Sequence, residues 1–391
     1  MLTLAWVLVG VAVAVPAYAY LLYPAVLYVV GRFRRGAATR GVNEPPRWPA
    51  VTLTMPVYNE EAEIAASLDA LLAVDYPRDQ LQILVISDAS TDRTDAIALG
   101  YRDRGVKLVR LPKRGGKTAA ENLGRAHVRG EIVVSLDATI RIHPGAIKAI
   151  VAPFADPSVG VVSGRDVSVA RREVDSNVGE AGYVGYEMWV RDLETRLYGI
   201  IGASGCFYAV RRELHGELVP EALSRDFAAA LIARERGFRS VSEPRALCFV
   251  PRTTSLEREY RRKVRTMTRG LETLFYKGHL LNPFRYGVFA WMLASHKLAR
   301  WLVPWAIAVG LVGLAGLAVH AALARWILAA GAAALAVALA GWRWRALRIR
   351  SLSVASMAFV LAGLVAGVEA WIKALSGELN PVWEPTRRDA G

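Results

Sequence analysis

Cysteine is nearly absent: 391 residues hold two, Cys206 and Cys248. Two isolated thiols exclude a disulfide framework and a cysteine-rich zinc site, and read as small buried hydrophobes. Two phosphate-binding signatures are missing as well. No GxGxxG follows the first strand-like run, which removes a dinucleotide site. KRGGKT (Lys113–Thr118) lacks the first glycine of a GxxxxGK[ST] loop, which removes Walker-type ATPase chemistry. Acids are outnumbered, with 35 Asp+Glu against 49 Lys+Arg and a formal charge of +14. Charge is almost lacking from several long stretches, where Glu369 is the exception. A transporter normally carries ionisable groups there, so that class is disfavoured.

What is present is apolar. Hydrophobic residues make up 53% of the chain and mean hydropathy is +0.26, too high for an ordinary soluble enzyme. Leu2 to Val30 is long enough to cross a hydrocarbon core of about 30 Å, with Pro16 and Pro24 as candidate kinks. Arg32, Arg34, Arg35 and Arg40 follow it and mark the cytoplasmic side. Residues 1–31 are therefore expected as an N-terminal transmembrane helix. Further spans are expected within 301–375: Trp301 to His320, Trp326 to Trp342 and Leu352 to Leu375, with the basic link Arg343, Arg345, Arg348 and Arg350 inside. Residues 283–300 mix aromatics with His296, Lys297 and Arg300 and suggest an interfacial amphipathic helix. Four crossings put the tail, 376–391 with Arg387 and Arg388, outside. The localisation expected is an inner (plasma) membrane, multi-pass, with the middle of the chain cytoplasmic. The excess positive charge suits anionic lipid or an anionic substrate. Nucleic acid is not expected, because it leaves both the apolar runs and the acids unexplained.

Between residues 48 and 282 the pattern changes. VTLTMPV, LQILVIS, Val106–Arg110 and EIVVSL read as strands. They alternate with helical runs at Glu60–Ala73 and Thr118–Val128, so a largely parallel, doubly wound α/β sheet is expected. Ligands bind such sheets beyond the carboxyl ends of the strands. That rule sets Asn59, Glu60, Asp88 and Asp137 on one rim.

MPVYNEE, VISDASTDRT, KRGGKTAAENLG, SLDAT, GASGCFYAVRREL, SRDF and YRRKVR occur in this order, with NPVWEPTRR closing the chain. Together they resemble the family-2 glycosyltransferases, inverting membrane-attached enzymes with a GT-A catalytic fold, and in particular the cellulose, chitin and hyaluronan synthases. The resemblance implies a nucleotide-sugar donor, with uridine as the base, and a glycan or lipid-linked acceptor. It implies Pro56, Tyr58, Glu60 and Asp88 around the nucleotide and Lys117, behind Gly115 and Gly116, on the diphosphate. Asp137 would bind Mg²⁺ or Mn²⁺, although Thr139 stands where the family has a second acid. Asp226 would be the general base; Arg225 replaces the acid that precedes it in the family. Gly205 and Cys206 would line the acceptor, and Arg262 and Arg265 would clamp phosphate where processive synthases carry Q-x-x-R-W. Thr266 takes the place of that tryptophan. The expected activity is sugar transfer with inversion to a growing cell-surface polysaccharide. The alternatives are a single addition to a polyprenyl-phosphate-linked or other lipid acceptor, and a catalytically inactive scaffold subunit.

Overall fold

The computed structural model describes residues 2–33, 47–169, 178–251, 255–344, 347–348 and 351–378. Arg34, Arg35, Arg40, Arg345, Arg350 and the tail from residue 379, with NPVWEPTRR, lie outside them.

The chain opens with α1 (Leu2–Ala17), a π-turn at Tyr18–Leu22, and α2 (Tyr23–Phe33). The π-turn lies between Pro16 and Pro24, where missing amide donors loosen the i to i−4 ladder. The middle of the chain then forms β1 (Val51–Val57), α3 (Ile64–Leu72), β2 (Leu81–Ser87), α4 (Thr94–Leu99), β3 (Val106–Arg110), α5 (Lys117–Gly124), β4 (Ile132–Leu136), β5 (Arg141–Ile142), α6 (Ala146–Val151) and β6 (Val159–Val169). It continues through α7 (Val178–Leu197), β7 (Phe207–Arg211), α8 (Arg212–His215), α9 (Arg225–Glu235), β8 (Arg239–Pro251) and α10 (Leu256–Tyr276). The last part holds α11 (Pro283–Tyr286), α12 (Val288–Leu293), α13 (Ala299–Ala318), α14 (Ala322–Arg343) and α15 (Leu352–Ser376).

One eight-stranded sheet has the order β3-β2-β1-β4-β7-β6-β8-β5. Its first four strands are parallel. β7 runs antiparallel to both β4 and β6, so the second half of the sheet is mixed rather than continuing the parallel pattern. The expected helix at Glu60–Ala73 starts late, at Ile64. The Glu60 carbonyl takes the amides of both Glu63 and Ile64, so the first turn is used to leave the sheet rim. The β1 and β4 strands are buried throughout, as a sheet covered on both faces requires. Their core continues through Leu53, Met55, Val85, Val134 and Phe207.

Four helical stretches are long and apolar enough to cross a membrane: Leu2–Phe33, Val288–Ala318, Ala322–Arg343 and Leu352–Ser376. α1 and α13 pack through small residues. A Cβ on Gly313 would lie 2.7 Å from the Ala5 carbonyl, and one on Gly310 only 2.1 Å from the Ala12 Cβ. Close backbone approach at such residues is how helices associate in lipid, where no hydrophobic drive acts between them. Residues 283–300 are not a separate interfacial helix. After the short α11, α12 runs through a π-turn at Ala294–Leu298 straight into α13. The polar groups that suggested a headgroup position are turned into protein: His296 and Arg300 are buried.

Candidate active site

The carboxyl ends of β1, β2 and β4 meet the loops before α5 and α9. Pro56 lies inside β1, buried, opposite Ile86. The β1–β4 ladder ends earlier, at Thr54 opposite Ser135, so the missing Pro56 N–H breaks no bond to β4. Tyr58 stands on the rim with the Arg114 guanidinium stacked 3.8 Å from its ring centroid. Glu60 is buried, and its N–H donates to Thr94 Oγ1 at 2.8 Å.

Asp88 is also buried, and both its oxygens are engaged: Oδ1 accepts from Gly115 N–H at 2.7 Å and Oδ2 from Gly116 N–H at 2.8 Å. Here it anchors the glycine loop. Gly116 has φ +90°, a conformation that a side chain would strain, so the loop needs glycine there. The anchor sets up Lys117 at the start of α5. Lys117 Nζ donates to Asp137 Oδ1 at 2.6 Å and to the Gly205 carbonyl at 2.8 Å. Burial opposes its charge, but Asp137 and Glu121 outweigh that, and the pKa of Lys117 is raised.

Gly205 connects this pair to Asp226. A Cβ on Gly205 would lie 3.3 Å from Asp226 Oδ2. The other carboxylate oxygen, Oδ1, accepts from Ser224 Oγ at 2.7 Å. Asp226 occupies the first turn of α9 with Ser224 as the cap residue, so Asp226 is not itself the cap. Asp137, Lys117, Gly205 and Asp226 thus form one connected line across the rim. The loop before Asp226 is braced from α10. Thr273 Oγ1 accepts from Ser224 N–H at 2.9 Å, and Arg269 donates to Thr118 Oγ1 at 2.7 Å and to the Leu223 carbonyl.

Cys206 is half-buried next to Gly205, and its carbonyl accepts from the Asp137 N–H at 3.1 Å. Ser204 fixes the same loop by donating to both oxygens of half-buried Asp166, at 2.7 and 2.8 Å. Arg225 points away from the site. It is buried, with Nε 3.6 Å from Glu121 Oε2, and it donates to Asn122 Oδ1 at 2.5 Å and to the His215 carbonyl at 2.8 Å. Arg262 is paired with Glu259 on its own helix at 2.8 Å, away from the Lys117–Asp137 pair. Arg265 lines a cavity of about 380 Å³ between α10 and α15, together with Tyr260, Arg269, Glu272, Glu369 and Lys373. Arg269 is the arginine of α10 that bonds the loop before Asp226. Sequence reasoning gave no role to Arg269, Ser224, Glu121 or Asp166. The basic run named Arg269, but only the register of α10 against the loop distinguishes it from its neighbours.

Among the described residues no group of three or more His, Cys, Asp or Glu could hold a metal ion. Thr139 is buried, and Asp88 is committed to the loop amides. Asp137 would then be the rim carboxylate to hold a hard divalent ion, with a diphosphate supplying further oxygens. That donor set is compatible with Mg²⁺ or Mn²⁺, which often bind through one carboxylate plus substrate phosphates.

Residues 52–219 match the family described as Glycosyl transferase family 2. The chain carries a family-2 glycosyltransferase domain of the GT-A type, followed by three apolar helices and preceded by one. A similar solved structure is the mannosyltransferase PcManGT from Pyrobaculum calidifontis in complex with GDP-Man and Mn²⁺: 25% identity, TM-score 0.71, covering 95% of this chain and 99% of that one. The β-monoglucosyldiacylglycerol synthase of Synechocystis sp. is 34% identical over 122 residues, 30% of this chain and 26% of the relative. The poly-β-1,6-N-acetyl-D-glucosamine synthase of Staphylococcus aureus is 24% identical over 229 residues, 57% of this chain and 55% of the relative. The chain thus spans about a quarter of the first of these relatives and about half of the second.

Proposed function

We propose that the protein is a membrane-attached glycosyltransferase that moves a sugar, with inversion, from a nucleotide-sugar donor to an acceptor at the membrane face. The observation that carries this reading is the line Asp137–Lys117–Gly205–Asp226. In this reading the Lys117–Asp137 pair takes the diphosphate at one end of a small-residue wall, and Asp226 offers Oδ2 at the other. Asp226 Oδ2 accepts the proton of the acceptor hydroxyl as that oxygen attacks the anomeric carbon. The donor's diphosphate leaves from the opposite face, which inverts the centre. Lys117 shifts from Asp137 onto the diphosphate and offsets the developing charge. Asp137 would hold Mg²⁺ or Mn²⁺ against the same phosphates, and the ion would supply further charge neutralisation there. Tyr58, with Arg114 stacked on it, offers a flat surface to the base. Uridine is the first base to test, and guanosine the second, since the similar mannosyltransferase was solved with GDP-Man.

Single addition to a lipid-held acceptor is favoured over polymerisation. α10 presents Thr266 where a sugar-stacking tryptophan would serve a growing chain. The domain faces the cytoplasm in this reading, with the spans in the plasma membrane. The test is turnover of a panel of UDP- and GDP-sugars by the purified full chain, with and without Mn²⁺, and by Asp226→Asn. The expected result is metal-stimulated turnover of one donor and a loss of about 10²- to 10⁴-fold in Asp226→Asn. Turnover of equal size in Asp226→Asn would overturn the assignment of the base.

A further inference from the structure

Lys297 belongs to the π-turn where the long helix Val288–Ala318 leaves the catalytic domain. Its Nζ lies 3.9 Å from the place a Cβ would take on Gly202, and 5.4 Å from the ring centroid of Phe227. Gly202 begins the loop that ends at Gly205, and Phe227 follows Asp226 in the chain. One short loop therefore has Asp226 against its last residue and Lys297 against its first. Three residues of extended chain reach at most about 10 Å, so the two charges share one wall.

The nearby carboxylates are bonded to other groups rather than to Lys297. Glu187 is engaged by Arg300 Nη1 at 2.7 Å and by His296 Nε2 at 3.0 Å. Glu194 accepts from the Tyr23 hydroxyl at 2.5 Å and lies 2.6 Å from His296 Nδ1. Among the described residues Lys297 itself makes no ion pair and no hydrogen bond. Gly202 and Phe227 are both buried, so this half-buried ammonium has an apolar floor. A cation in such surroundings is unfavourable unless an anion joins it, and an ionisable residue at the mouth of a membrane helix points to function by default. An ammonium is a compact charge with three donors, suited to a phosphate oxygen.

We propose that Lys297 is the phosphate-binding residue of the acceptor subsite, and that the acceptor is a phosphate-linked lipid whose phosphate meets Lys297 while a hydroxyl of the group it carries reaches Asp226. A lipid source suits the position, because the residue sits where a helix long and apolar enough to cross a bilayer leaves the domain. The inference deepens the proposed function and rests on Asp226 marking the acceptor wall.

The experiment measures binding to the full chain in nanodiscs of neutral lipid. The probes are farnesyl phosphate, farnesol and inorganic phosphate; the first two share a hydrocarbon and differ in the phosphate. The expected result is at least tenfold tighter binding of farnesyl phosphate than of either other probe. Lys297→Gln should abolish that preference and Lys297→Arg should keep most of it. Equal binding of farnesol and farnesyl phosphate by the unaltered protein overturns the proposal, whether or not the variants fold. So does a preference that survives in Lys297→Gln. Inorganic phosphate binding as tightly as farnesyl phosphate overturns the lipid source. Donor turnover by the unaltered protein reports separately on Asp226: if it is absent while the farnesyl phosphate preference holds, the catalytic reading fails and the lipid-phosphate site stands.

Discussion

Arg225 and Asp226 are neighbours with opposite fates. Asp226 faces the small-residue wall, while Arg225 turns into the core against Glu121, which also accepts from Ser135 Oγ at 2.5 Å. A buried ion pair contributes little over an apolar replacement, but removing one partner strands the other. Arg225→Ala should therefore destabilise the protein by about 3–5 kcal/mol. The double change Arg225→Met with Glu121→Met should recover much of that loss, both read as unfolding midpoints in detergent. Equal losses in the single and double variants would show that the pair is not the cause. The same two residues show what the sequence discloses at this scale. Asp137 and Lys117 could be set on the rim from sequence because one follows a strand and the other a glycine pair, whereas Asp226 was read from SRDF by resemblance alone. Arg225 read as a lost family acid, and its burial was invisible: sequence spacing does not say which side chain of a helix's first turn points inward. Asp88 was placed at the right rim, but its two backbone partners arrive from a loop more than twenty residues away.

At the scale of elements, the junction between domain and membrane is made by α7. Its Glu187 and Glu194 receive Arg300, His296 and Tyr23 from helices at the two ends of the chain. Burial of Glu187 raises its pKa, yet His296, Arg300 and Arg191 overcome this and hold it well below the usual carboxylate range. A depressed carboxylate stabilises the fold fully above its unfolded pKa, about 4.3, and that contribution is lost as pH falls through the lower folded value. Glu187→Gln should therefore be less stable than the parent at pH 7, with the gap narrowing only as pH drops below about 4. Thermal unfolding in detergent across pH 3 to 8 checks this; a gap that widens toward acid would contradict the assignment. The strands β1 to β4 were readable from their apolar runs, while β5 to β8 and the extent of α10 were not read. The interfacial helix was not, because His296, Lys297 and Arg300 look the same in sequence whether they meet headgroups or buried carboxylates.

At the scale of the whole molecule, hydropathy finds four candidate spans, but packing separates one from the others. α1 and α13 run side by side, with Ala12 and Ala5 against Gly310 and Gly313. α14 follows α13 after a short turn. α15 instead lies along α10. Its early residue Ala358 clusters with Leu256 at the start of α10. Further on, a Cβ on Gly367 would lie 3.3 Å from Met267 Cε and 2.8 Å from Pro304 Cγ. Near its end Trp371 packs 5.8 Å from Phe275 and donates to the Trp301 carbonyl at 2.8 Å. α10 carries Glu257, Arg258, Arg261, Arg262 and Lys263 and is far too charged to cross lipid. A helix that shadows it is expected to lie in the interface, with both ends on the catalytic side. Crossings should then number three: α1 with α2, α13 and α14. An odd count puts the end of α15 on the face that holds the domain, the reverse of the side expected from four crossings. In a Cys206→Ser background, His320→Cys in the α13–α14 turn should react with an impermeant maleimide only from the side opposite the domain. Ser376→Cys at the end of α15 should react only from the domain's side. Labelling of both from one side would restore four crossings and detach α15 from α10.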